Sequence, residues 1–180
     1  LRQLLPAATF FDADHAAREL AETDPEARTE IAAAFGPEIY SREGHLNRAA
    51  LRAIVFADPE KKRALEQILH PRIRRQWSVA AESRRQSTEL FFADIPLLYE
   101  TGGETLCDCV VVVACSRIVQ LQRLMARSSL SEIAAQQIIA AQWPLAEKLA
   151  RADYVVWNNG PRDMLAAQTE TLVRLWQQNG

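Results

Sequence analysis

The stretch Phe10-Phe11-Asp12-Ala13-Asp14-His15-Ala16-Ala17-Arg18-Glu19-Leu20 sets two carboxylates one residue apart, directly after an apolar run and directly before a helical pattern. Thr9 to Asp12 reads as a short strand, and Asp14 is well placed to cap the helix that runs on through Leu20. A strand that hands over to a helix within two residues opens a β-α unit, and the chain repeats that alternation. Residues 89–94 form a second apolar run that ends, again, in an aspartate, Asp94. Residues 107–115, Cys-Asp-Cys-Val-Val-Val-Val-Ala-Cys, are almost continuously apolar, which suits a parallel strand buried on both faces. Tyr154-Val155-Val156-Trp157 is a last short strand. Helices are expected over 117–127, 131–142 and 161–177, with a break at Ser128-Ser129 and a turn at Asn158-Asn159-Gly160. Strands alternating with helices imply an α/β fold built on a parallel sheet.

Between the first two strands the chain carries helices alone. One covers 25–35 and stops at Gly36; Asn47 caps another over 48–56; Pro59 opens a long helical tract to about residue 85. His70-Pro71 interrupts that tract, where proline is expected to bend or break it. The tract therefore reads as a helical insertion hanging over the sheet. Leu1 to Leu5 reads as the last turn or two of a helix, and the sequence opens without methionine, so an upstream segment is expected.

Composition narrows the function classes. The chain has 180 residues, 48% of them hydrophobic, with six glycines, enough to bury a core in one domain with an inserted lobe. A formal net charge of −2 argues against a general nucleic-acid or membrane-surface binder, which shows a basic face. Of the 21 Lys and Arg residues only Lys61, Lys62 and Lys148 are lysine. That bias reflects either base composition or a use for guanidinium forks on phosphate. The three cysteines, Cys107, Cys109 and Cys115, share one apolar segment with no fourth ligand nearby, so they read as buried reduced thiols of a cytoplasmic protein rather than as a zinc site. No run is long enough to span a bilayer.

In open α/β sheets ligands collect at the carboxyl ends of the strands. Asp12, Asp14 and Asp94 lie at such ends. Each has a bland reading, a cap or a turn, but three carboxylates on one edge repel unless a metal or a proton-acceptor role uses them.

The order of five segments carries a resemblance: Asp12-Ala13-Asp14 followed by Ala17-Arg18-Glu19-Leu20; residues 44–73, from Gly44-His45-Leu46-Asn47-Arg48 to His70-Pro71-Arg72-Ile73; Ala93-Asp94-Ile95-Pro96-Leu97-Leu98-Tyr99-Glu100; Val110 to Ser116 with Gln120-Leu121-Gln122-Arg123-Leu124-Met125-Ala126-Arg127; and residues 140–160. Over essentially its whole length the chain resembles the dephospho-coenzyme A kinase family. The resemblance implies a three-layer P-loop kinase fold with a core of about 1–24 and 88–180, a helical substrate lobe of about 25–87 and a lid of about 127–145. It also implies transfer of the ATP γ-phosphoryl group, with Mg²⁺, to the ribose 3′-hydroxyl of dephospho-coenzyme A by a monomer or weak homo-oligomer. The family opens with a strand and a phosphate loop ending in Gly-Lys-Ser/Thr, which is not found here. The expectation is a missing front whose strand lies in mid-sheet, and a chain that without it turns over poorly.

Residue by residue, Asp14 matches the family acid that takes the proton from the 3′-hydroxyl, with Asp12 beside it. Arg123 and Arg127, four apart on one helix face, match arginines that reach ATP phosphates and close from the lid; otherwise they form a solvated basic stripe. His70, Arg18, Arg48 and Arg74 either contact dephospho-coenzyme A or serve structure. Asp12 and the segment from Asp94 to Glu100 are expected to bind the acceptor, Asp94 and Glu100 as polar contacts and Leu97 and Leu98 as an apolar wall, and Asp94 could hold Mg²⁺ through water. Asn158 and Asn159 match the loop near adenine, although Asn-Gly is also a good turn; Trp157 stands where relatives usually carry aspartate. Two rival readings stay open: a binding protein without catalysis, and a kinase for another nucleotide-like acceptor.

Overall fold

The computed structural model describes residues 1–179. Its elements are, in chain order, β1 (Thr9–Asp12), α1 (Ala13–Thr23), α2 (Pro25–Phe35), α3 (Arg48–Ala57), α4 (Pro59–Glu82), β2 (Phe91–Asp94), β3 (Val111–Ala114), α5 (Arg117–Ser128), α6 (Glu132–Ala140), α7 (Leu145–Arg151), β4 (Tyr154–Trp157) and α8 (Arg162–Asn179). The alternation expected from sequence is present, and both strand pairs are parallel. The four strands form two two-stranded sheets, β1 with β2 and β3 with β4. Each pair is a crossover unit: α1 to α4 connect the first, α5 to α7 the second. The chain divides into two compact units, Ala7–Pro96 and Leu97–Gly180 joined by Leu1–Pro6.

The first unit is built around α4, which packs against α1, α2 and α3. Its core gathers Ala16 and Leu20 of α1, Ile31 and Phe35 of α2, Leu51 of α3, and Ile68, Leu69, Ile73 and Trp77 of α4. Two helices start on the same device, an aspartate cap followed by proline at the first helical position. Asp24 accepts the Ala27 N–H at 2.7 Å and Asp58 accepts that of Glu60 at 2.8 Å. Proline there costs nothing, because that N–H has no helical acceptor anyway. In the sheet, the register partners Phe10 and Phe92 stack with ring centroids 5.0 Å apart.

Pro71 does not break α4: the helix runs unbroken through 24 residues with the proline inside it. An interior proline costs about 3 kcal/mol. Burial of Ile68, Leu69 and Ile73 on both sides of it offsets that cost, and Arg72 anchors the same turn by a paired contact with Glu30 at 2.8 and 3.1 Å. A second correction concerns the start of α1. The chain stays extended at Asp12, so Asp12 rather than Asp14 is the cap and accepts the His15 N–H at 2.9 Å. Asp14 falls in the first turn.

In the second unit the core is Tyr99, Val110, Ala114, Ala135, Val156, Leu172 and Val173. The third strand is shorter than the apolar run, beginning at Val111, and it is not buried on both faces: Val113 is 64% exposed. β3 pairs with β4 alone among the described strands, so one flank lacks a strand neighbour. The cysteines are free, but Cys109 is exposed while Cys107 and Cys115 are half-buried, so the expectation of burial fails at Cys109. Residues 1–5 form turns rather than a helix end, with the Leu4 and Leu5 N–H groups both donating to the Leu1 carbonyl. Helix α7, not foreseen from the sequence, follows Pro144. No helix among the described residues is long and apolar enough to cross a membrane.

Candidate functional site

Strand pairing decides where the acids go. β1 and β2 run parallel with Asp12 opposite Asp94, so two strand ends deliver carboxylates side by side on one edge. Both residues are exposed. Like charges in register repel, and at Asp12 the cap to His15 offsets part of that cost by engaging one oxygen. Asp14 is exposed in the first turn of α1. Arg18 follows one turn later on the same helix.

Arg48, His70 and Arg74, also expected on the acceptor side, lie in the same unit. Arg48, at the start of α3, meets the Glu22 carboxylate at 3.2 Å, and His45 approaches its other oxygen at 3.3 Å. Burial alone would raise Glu22; the donors Arg48, His45 and the Leu46 N–H outweigh it and hold the carboxyl below its usual range. His70 and Arg74 stand four residues apart on α4, both half-buried, and therefore share a helix face.

The second unit holds the remaining candidates. After the buried end of β3 at Ala114, Ser116 caps α5 by accepting the Val119 N–H at 3.4 Å. Arg123 then sits two turns into α5 and donates to the Asn158 carbonyl at 2.6 Å. Asn158 in turn donates its N–H to the Ala114 carbonyl at 2.7 Å, and the Asn159 side-chain oxygen accepts the Ser116 N–H at 2.6 Å. The structure thus brings Arg123, Asn158 and Asn159 to one place, the carboxyl ends of β3 and β4. Arg127, exposed in the last turn of α5, complements the negative end of that helix.

Leu97 and Leu98 are half-buried. Glu100 next to them is 15% exposed, and its carboxylate meets the Lys148 ammonium at 2.7 Å and accepts the Trp143 N–H at 3.0 Å. Burial alone would raise its pKa, and the bonds from Lys148 and Trp143 more than reverse that, leaving the carboxyl below its usual range. Sequence reading missed Lys148 and Trp143 as partners; the one available signal was a rare lysine in an arginine-rich chain. It also missed Gln168, whose side-chain amide bonds both the N–H and the carbonyl of Trp157.

Among the described residues no three His, Cys, Asp or Glu side chains are grouped to hold a metal ion by themselves. Magnesium needs less than that, since it keeps several waters and takes one or two carboxylates together with substrate phosphates. The Asp12–Asp94 strand-end pair meets that requirement.

Parallel strand pairs joined by helical crossovers, with aspartates ending β1 and β2 and, in the other unit, an arginine at the carboxyl ends of β3 and β4, are the features of an α/β protein of the P-loop kinase type. Within that class the model of the dephospho-CoA kinase family matches residues 5–163, and the chain belongs to that family. It is similar to the dephospho-CoA kinase of Geobacillus kaustophilus (strain HTA426), 42% identical over 166 residues that span 92% of this chain and 83% of the relative. It is also similar to that of Anaeromyxobacter dehalogenans (strain 2CP-C), 46% identical over 169 residues, or 92% and 79% of the two chains. Among solved structures, a dephospho-CoA kinase from Campylobacter jejuni superposes with a TM-score of 0.70 at 25% identity, covering 97% of this chain and 88% of that one. A crystal structure from Thermus thermophilus superposes at 0.68 with 35% identity, covering 93% and 85%.

Proposed function

We propose that this protein transfers the γ-phosphoryl group of ATP to the ribose 3′-hydroxyl of dephospho-coenzyme A, the final step of coenzyme A synthesis. Family membership over most of the chain carries the reading. The strand-end carboxylates and the Arg123–Asn158 cluster supply groups suited to it.

Phosphoryl transfer asks for positioning and charge neutralisation more than for covalent work by the protein. Asp14, exposed in the first turn of α1, takes the proton of the 3′-hydroxyl. The freed oxygen bonds to the γ-phosphorus, the bond from that phosphorus to the β–γ bridging oxygen breaks, and ADP leaves with the electron pair. Arg123 and Arg127 neutralise charge on the phosphates, and Asn158 and Asn159 face the base. Arg18, Arg48, His70 and Arg74 bind dephospho-coenzyme A, Leu97 and Leu98 line its apolar part, and Glu100, bonded to Lys148 and Trp143, anchors the segment that carries them. Mg²⁺, when bound, lowers the charge across the β- and γ-phosphates, and Asp94 would hold it through water beside Asp12.

The division of labour follows: a core of about 1–24 and 88–180, an acceptor lobe of about 25–87 and a lid of about 127–145. A cytoplasmic location fits the three free cysteines, and the protein acts as a monomer or weak homo-oligomer. The test is an ATP-consumption assay on the protein expressed from its complete gene, with dephospho-coenzyme A and, separately, nucleoside monophosphates as acceptors. ADP release that depends on dephospho-coenzyme A, with a 3′-phosphorylated product by mass, is expected. ADP release driven by a monophosphate alone would sink the assignment.

A further inference from the structure

The loop after β4 is tied down from four sides. Asn158 N–H reaches Ala114 of β3 at 2.7 Å; Asn159 Oδ1 takes the Ser116 N–H at 2.6 Å; the Asn158 carbonyl takes Arg123 Nη1 at 2.6 Å. The fourth tie is of a different kind. On α8, Gln168 Oε1 accepts the Trp157 N–H at 2.8 Å while its Nε2 donates to the Trp157 carbonyl at 2.9 Å and to the Met164 carbonyl at 3.2 Å.

One amide thus brackets both polar groups of a single strand-end residue, as a neighbouring strand would. Trp157 is the last residue of β4, and its backbone groups on that flank have no strand partner among the described residues. A two-point bracket holds the two peptide planes on either side of the Trp157 Cα relative to each other, because an amide offers a donor and an acceptor in fixed relative directions. The second of those planes leads directly into Asn158, whose carbonyl holds Arg123. The Trp157 indole, 43% exposed, projects from the same residue.

The geometry points to Gln168 as a positioning residue for nucleotide recognition: by bracketing Trp157 it holds the Asn158–Asn159 loop and, through the Asn158 carbonyl, the Arg123 guanidinium in the orientation that ATP meets. This rests on the reading of that loop as the nucleotide-base site. Gln168 touches neither substrate nor reacting atoms and acts through Trp157. Because the bracketed groups are near the surface, water can replace the amide without leaving a buried donor unmet, so Gln168 governs orientation more than stability.

The experiment compares wild type, Gln168→Leu and Gln168→Glu, each expressed from the complete gene, by steady-state kinetics and by equilibrium binding of a fluorescent ATP analogue without acceptor. Gln168→Leu removes both arms, and two lost orienting bonds correspond to about a tenfold rise in the ATP KM and in the analogue Kd. Gln168→Glu keeps the acceptor for the Trp157 N–H but faces its carbonyl with a second acceptor, so an intermediate rise is expected. The dephospho-coenzyme A KM and the melting temperature stay near wild type. The inference is overturned if analogue Kd and ATP KM in Gln168→Leu stay within twofold of wild type, if both substrates' KM values rise together with a drop in melting temperature, or if wild type binds no nucleotide. Should wild type bind the analogue yet leave dephospho-coenzyme A unphosphorylated, the acceptor assignment fails while the Kd ratio still judges Gln168.

Discussion

A carboxylate that caps a helix spends its lone pairs on backbone N–H groups, whereas one placed two residues later in the first turn keeps its oxygens outward. Asp12 and Asp14 divide along that line. Asp12→Ala removes a cap and should lower stability by about 1 kcal/mol, read as a shift in the urea midpoint. Asp14→Asn should leave that midpoint nearly unchanged and reduce kcat by about 10²–10⁴; a loss below tenfold would remove Asp14 from the chemistry. The sequence showed both acids and their strand-end placement, but not which of them caps. That depends on where φ and ψ turn helical, and a single residue of difference swaps the two roles. Arg123→Lys keeps the charge and loses the planar fork, so it should restore little of the activity lost in Arg123→Ala, as compared by kcat/KM for ATP.

At the scale of elements, the Glu100–Lys148 pair joins the segment after β2 to α7, and Glu100 also holds the Trp143 N–H just before that helix. Tyr99 stacks on Trp143 with centroids 6.1 Å apart, and the Arg151 guanidinium lies 4.7 Å from the same ring. Both members of the ion pair are largely withdrawn from water, so Lys148→Met leaves a poorly solvated carboxylate and should cost about 3 kcal/mol near neutral pH. The pH dependence has a definite sign. Glu100 is held below its ordinary value of 4.5 in the folded chain, so its contribution is present above that pH and is lost as pH falls through the folded value. Urea unfolding of wild type and Lys148→Met near neutral pH and near pH 4 should show the gap between them narrowing in acid. A gap that widens would contradict the pairing.

Helix α4 shows the same limit of local reading from the other side. His70-Pro71 reads as a break because proline removes a donor, yet the apolar residues flanking it fill the core of the first unit and keep the helix intact. By contrast α2, whose start and stop are both local, an Asp-Pro cap and a glycine at φ 95°, was legible to the residue.

For the molecule as a whole, the basic acceptor candidates Arg18, Arg48, His70 and Arg74 fall in one compact unit, whereas the nucleotide candidates fall in the other together with Leu97, Leu98 and Glu100. Substitutions should therefore separate kinetically. Arg74→Ala should raise the KM for dephospho-coenzyme A by about tenfold or more, as loss of a charge-assisted phosphate contact implies, while leaving that for ATP near wild type. Asn159→Ala, which removes the acceptor for the Ser116 N–H, should act on the ATP side alone. A variant from either unit that moved both constants equally would argue against this partition.

By itself the sequence determined the α/β alternation, the strand ends in aspartate and the family, because strand and helix periodicity, proline and cap residues act over a few neighbouring positions. Tertiary structure alone decided that α4 continues through Pro71, that Glu100 is taken up by Lys148 and Trp143, and that Gln168 brackets Trp157. Those partners lie 11 to 48 residues apart, and which of many chemically equivalent donors meets a given acceptor is set by how the chain packs, a choice that no local pattern encodes.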